Sequence, residues 1–119
     1  MDQDELIELE QQGWQSLMAA PAEARTFYEG VFDEQIVVLL SDLPPIRTRG
    51  EALDALCSSL LEDFRWHGLR CVRLGAGTGV VRYGIAATRS ALPYSAQVSS
   101  VYARRPGGWK LTFHQRTRR

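Results

Sequence analysis

Ser100-Val101-Tyr102-Ala103-Arg104-Arg105-Pro106-Gly107-Gly108-Trp109-Lys110-Leu111-Thr112-Phe113-His114-Gln115 is the stretch that decides the fold. Apolar and polar residues alternate on both sides of Pro106-Gly107-Gly108, a tight-turn signal. Residues 94–105 and 108–117 therefore read as a β-hairpin. Working back along the chain, residues 79–90 and 65–74 keep the same period of two. Turn signals separate them, one around Pro93 and one at Gly75-Ala76-Gly77. Four antiparallel strands joined as a meander follow. The run Gly75-Ala76-Gly77-Thr78-Gly79 is a hairpin turn and not a phosphate loop. Val80 breaks the Gly-x-Gly-x-x-Gly pattern, and no helix N-terminus follows to hold a phosphate.

Before residue 64 the period is 3.6. Residues 3–20 read as an amphipathic helix, with Leu6, Ile7, Glu10, Trp14, Leu17 and Met18 placing apolar groups mainly at three- and four-residue spacing, opened by what resembles a capping box at Asp2 and Glu5. Pro21 starts a second helix, to about residue 32, that buries Ala24, Phe27, Tyr28 and Val31. The short aliphatic run at 35–40 reads as a buried strand. Pro44-Pro45 keeps helix out of the following loop. Thr48-Arg49-Gly50-Glu51 caps a third helix over about 49–61, burying Leu53, Leu56, Cys57 and Leu60. The order is α-α-β-α-β-β-β-β, an α+β domain with helices against one face of a curved sheet.

The 119 residues carry 14 acidic and 14 basic side chains, but the two signs are separated. All 14 carboxylates precede residue 64, with only Arg25, Arg47 and Arg49 among them; the other 11 basic residues follow. The length is that of one domain over residues 1–119. No apolar run reaches membrane-spanning length. The acidic N-terminus lacks a signal peptide's basic region. Cys57 and Cys71 read as free thiols with no metal spacing, and no metal or cofactor motif stands out. A soluble cytoplasmic protein is expected. Overall charge balance argues against nucleic acid, and the basic half reads as the complement of the acidic half, within or between subunits.

The 100–115 stretch has the form of a strand, an Arg-Arg-x-Gly-Gly turn, Trp-Lys-Leu and a closing His-Gln. With Trp14, Phe32-Asp33 and Arg49-Gly50-Glu51-Ala52-Leu53, it resembles the nuclear transport factor 2-like superfamily. That group includes SnoaL-like polyketide cyclases, ketosteroid isomerases, scytalone dehydratase and the calcium/calmodulin-dependent kinase II association domain. The resemblance covers nearly the whole chain. It implies a cone-shaped α+β fold, a pocket between helices and sheet, and a homodimer through the sheet. The isomerase general-base position falls on Leu39, and no carboxylate follows Asp63 to serve as the late-strand acid. The cyclases and dehydratases use Asp–His pairs. Here only His67 and His114 exist, and any acidic partner must come from the helical half.

His114 is the candidate catalytic residue, a pocket donor or general base with Thr112 and Arg116 on its side of the strand; otherwise it is a sheet histidine at a dimer surface. Gln97 and Ser99 share a strand face and are candidates to orient a ligand. Trp14, Tyr28 and Tyr83 line a pocket or fill a core, and Trp109 is a packing anchor. Two functions are expected. One is binding of a small apolar or aromatic molecule inside the cone, with cofactor-free lyase or isomerase chemistry if it is an enzyme. The other is a non-catalytic association module that assembles itself or a partner protein. The first requires a closed cavity reached by His114, Gln97 or Ser99. The second requires a cone plugged by Trp14, Tyr28 and Tyr83 and an apolar outer surface.

Overall fold

The computed structural model describes residues 2–58 and 60–119, with the side chains of residues 2–4 outside the description. The expected Asp2–Glu5 capping box therefore lies outside the described residues. The elements are α1 (Asp2–Ser16), α2 (Pro21–Val31), β1 (Phe32–Leu40), α3 (Arg49–Cys57), β2 (Asp63–Arg73), β3 (Thr78–Arg89), β4 (Leu92–Arg105) and β5 (Gly108–Arg118). This is the order read from the sequence, an α+β cone.

The five strands form one open mixed sheet in the order β1-β5-β4-β3-β2. The meander is antiparallel throughout, and β1 adds in parallel to β5, with Val38 opposite His114. The helices cover the concave face. Their apolar stripes, Leu6 and Trp14 of α1 with Leu17 just beyond its end, Tyr28 and Val31 of α2, and Leu53 and Leu56 of α3, meet Val81, Tyr83, Ile85, Val98, Tyr102 and Leu111 in one core.

Local chemistry sets the boundaries. Pro21 occupies the first turn of α2, where its missing N–H costs no hydrogen bond. Thr48 caps α3 by accepting from Glu51 N at 3.2 Å, and the Thr48 hydroxyl donates to Glu51 Oε1 at 2.9 Å; such a cap is worth about 1 kcal/mol. Two helices end earlier than their periodicity suggests. α1 stops at Ser16 because tight turns take over, with Leu17 N donating to Trp14 O and Met18 N to Gln15 O. Met18 is consequently exposed and not part of the buried stripe. α3 stops at Cys57, and Leu61 N donates instead to Leu17 O, which ties this segment to the end of α1.

A bulge interrupts the β4–β5 ladder, so that Val101 faces Phe113 while Tyr102 faces Leu111. Both Leu111 and His114 then point inward, and Thr112 sits at the irregularity, donating to Val101 O at 3.1 Å. The simple alternation that put Thr112 beside His114 does not survive this extra residue.

Candidate functional site

Glu10 is the centre of the interior. It lies on the buried stripe of α1 and is 5% exposed. Three hydroxyls from two neighbouring strands converge on its carboxylate. Tyr102 donates to Oε1 at 2.6 Å, while Tyr83 and Ser100 donate to Oε2 at 2.5 and 2.7 Å. Trp14 Nε1 donates to the Tyr83 hydroxyl. The sheet register aligns the donors, since Ser100 stands between Val81 and His114 in one cross-strand row.

The chain of contacts continues to the last strand. Ser100 Oγ lies 2.7 Å from His114 Nδ1, and Arg116 Nε donates to His114 Nε2 at 2.9 Å. A guanidinium can only donate, so Nε2 is the acceptor and a neutral imidazole carries its proton on Nδ1. Nδ1 then donates to Ser100, which donates to Glu10. Burial, with the Arg116 charge, holds His114 well below the usual imidazole range. Burial pushes the Glu10 carboxyl up, opposed by the three hydroxyl hydrogen bonds and by Arg116. Burial and the Glu10 charge also raise Tyr83 and Tyr102 well above an ordinary phenol. The arrangement is a guanidinium and a carboxylate joined through two neutral groups. Arg116 also stacks on Trp14, with its Cζ 4.3 Å from the ring centroid.

Of the residues singled out in the sequence, Trp14, Tyr28, Tyr83, His114 and Arg116 all come together inside the cone. Gln97 and Ser99 do not join them. Gln97 pairs across strands with Gly84 and Thr117, and Ser99 with Arg82 and Gln115, on the convex face, where Gln97 is exposed. They touch no interior group because strand alternation sends their neighbours Val98 and Ser100 inward instead. His67 is exposed on β2. Glu10, Ser100 and Tyr102 were not singled out. The signal for Glu10 was present, an acid in the middle of an otherwise apolar helical stripe. His114 and Glu10 come from the two oppositely charged halves of the chain, with His114 Nδ1 3.9 Å from Glu10 Oε2.

The cone is nearly full. The cavity against Glu10, Gly13, Phe27, Tyr28, Tyr102 and His114 is about 10 Å³, the room of about one water molecule. Phe27 meets Tyr28 edge to face there and Tyr28 meets Phe32 at a tilt, with centroids 5.2 and 5.4 Å apart. Trp14 and Tyr83 meet edge to face at 6.4 Å. Among the described residues no cluster of three or more potential metal ligands occurs. No described helix is long and apolar enough to cross a membrane.

The convex face carries a continuous apolar row across all five strands: Val72, Val80, Val101, Phe113 and Val37 are successive cross-strand partners. Val72 is exposed and the other four are half-buried. Arg70 and Arg82 face each other in an adjacent row.

No family model and no curated protein matches this chain. Solved structures do. An NTF2-like protein from Cytophaga hutchinsonii superposes with a TM-score of 0.82 at 15% identity, covering 98% of this chain and 97% of that one. The association domain of C. elegans CaMKII gives 0.78 at 10% identity, over 96% and 93%. A ketosteroid isomerase-like protein from Erwinia carotovora gives 0.70 at 13%, over 91% and 92%. The chain has the nuclear transport factor 2-like fold. The same fold serves neighbours described as isomerase-like and as an association domain.

Proposed function

We propose that this chain is a non-catalytic association module that forms a homodimer through the convex face of its sheet. The filled cone carries this reading. An interior cavity of about 10 Å³ is far below the roughly 300–1,000 Å³ of small-molecule pockets, and its polar groups are engaged with one another. The five-strand apolar row outside is the surface left without a covering layer, and a sheet apolar on both faces asks for a second layer. The self-complementary patch of a two-fold dimer meets that need with a second copy. Light scattering at micromolar concentration is expected to give twice the 13.4 kDa chain mass. Phe113→Asp is expected to give the monomer mass while keeping the wild-type circular dichroism. A wild-type mass near that of one chain would overturn the reading.

A second reading keeps the interior as a site for a small apolar or aromatic molecule, with His114 as acid–base catalyst in a cofactor-free lyase or isomerase. The buried Glu10–Ser100–His114 chain favours it, since paired titratable groups with shifted acidities mark functional sites. It requires Phe27 and Tyr28 to swing aside. A thermal-shift screen of aromatic compounds separates the two readings. A saturable ligand at 100 times its dissociation constant adds about 2.7 kcal/mol, and Tyr28→Ala, which enlarges the cavity, is expected to increase that response only if the interior binds.

A further inference from the structure

Arg89, Tyr94, Arg116 and Arg118 share the concave face of the sheet at the end where β3 turns into β4. The register puts them there, with Ala87 opposite Tyr94, Ala96 opposite Arg118 and Val98 opposite Arg116; side chains two apart on a strand share a face. The Arg89 and Arg118 guanidinium carbons lie 5.0 and 5.7 Å from the Tyr94 ring centroid. Arg89 Nε and Arg116 Nη2 are buried with no hydrogen-bond partner among the described residues. None of the three arginines has a carboxylate at ion-pair distance among the described residues. Glu62, the acid that reaches this turn, is engaged with Ala91 N at 2.6 Å. A depression of about 230 Å³ opens against Arg89, Leu92, Pro93, Tyr94 and Arg118.

We propose that this depression binds an oxyanion, the carboxylate or phosphate group of a small molecule. Buried donors without acceptors are rare and costly, and the Arg89 and Arg118 guanidiniums, both set against the Tyr94 ring, have no carboxylate at ion-pair distance among the described residues. Burial and the charges of Arg116 and Arg118 accordingly lower the Arg89 pKa. An anion in the depression supplies an acceptor for Arg89 Nε and a charge opposite to those of Arg89 and Arg118 at once. Guanidinium forks match planar carboxylate and phosphate oxygens in pairs. Tyr94 holds the forks by cation–π contact, and Leu92 and Pro93 give the ligand an apolar wall. The volume lies below the usual range for drug-sized ligands, so the ligand is small. The site is separate from the proposed dimer face, which lies on the other side of the sheet.

The experiment titrates the protein with inorganic phosphate and, separately, with benzoate. Ionic strength is held constant with sodium chloride, and the thermal midpoint is followed. A saturable rise is expected with at least one probe; the probe that produces it tells a phosphate ligand from a carboxylate one. Arg118→Gln, an exposed position, is expected to weaken the responding probe at least tenfold, and Arg89→Gln likewise. Arg119→Gln, on the opposite face, is expected to leave it unchanged. Absence of a saturable rise with both probes, or an undiminished response in Arg118→Gln, would overturn the proposal. Arg118→Gln carries the test if Arg89→Gln does not fold.

Discussion

A carboxylate in the middle of a core needs a reason at the level of single atoms. Glu10 accepts three hydroxyl hydrogen bonds, and its charge is matched at a distance by Arg116. Glu10→Gln puts an N–H₂ among donors and leaves the guanidinium uncompensated. It is expected to cost about 3 kcal/mol, the scale of breaking a buried charge pair, measured as the shift in urea unfolding. His114 and Glu10 respond to pH with opposite signs. His114 has a folded pKa below its unfolded value of 6.5. Its contribution is complete above that value and is lost as pH falls through it, by about 1.4 kcal/mol per unit. Glu10, with its pKa raised, instead favours the fold as pH falls toward its unfolded value. The stability gap between wild type and His114→Gln is therefore expected to narrow by about 1 kcal/mol between pH 7.5 and 5.5; a constant gap would show that the imidazole is not kept neutral by the fold. Glu10 was legible as an acid on an apolar stripe. Its partners were not, since Tyr83, Ser100 and Tyr102 alternate like any strand residues and stand 73, 90 and 92 positions away.

At the scale of elements, the periodicities of 3.6 and 2 placed every helix and strand, and the turn residues marked the hairpins. What they missed is tertiary. The Leu61 N to Leu17 O bond shortens α3, and the bulge at Val101/Tyr102 turns both Leu111 and His114 inward. Neither leaves a local signal. The crossing of α1 over α2 depends on another such detail. A Cβ at Gly13 would lie 2.8 Å from Tyr28 Oη and 3.3 Å from Phe27 Cε2. Glycine inside a helix ordinarily costs about 1 kcal/mol relative to alanine, so Gly13→Ala would stabilise an isolated α1. In the folded protein it is expected to destabilise by about 1–3 kcal/mol through overpacking. Tyr28→Phe, which removes the nearest atom, is expected to recover part of that loss. A thermal-melt double-mutant cycle with no coupling would show that the two helices yield freely here.

Over the whole molecule, the separation of charge seen in the sequence became a separation of faces. Arg65, Arg70, Arg82 and Arg119 are exposed on the sheet, whereas the helices carry most of the acids. The choice between a hollow and a filled cone was not legible, because Trp14, Tyr28 and Tyr83 suit a pocket wall and a core equally well. If two convex faces pack together, their arginines approach one another around the apolar row. Added salt is then expected to tighten the dimer several-fold between 50 and 500 mM sodium chloride by screening that repulsion, as followed by sedimentation equilibrium. Weakening with salt would point to arginine–carboxylate contacts instead. The seating of Glu10 against β4 and β5 also has a consequence for biosynthesis. The ribosome delivers about 5–20 residues per second, so Glu10 leaves it seconds before Tyr102, Ser100 and His114 exist to receive it. The nascent helix must wait as a solvated, charged segment. Only when Gly108–Arg118 has emerged can the carboxylate meet all of these groups, so α1 cannot settle before β5 exists.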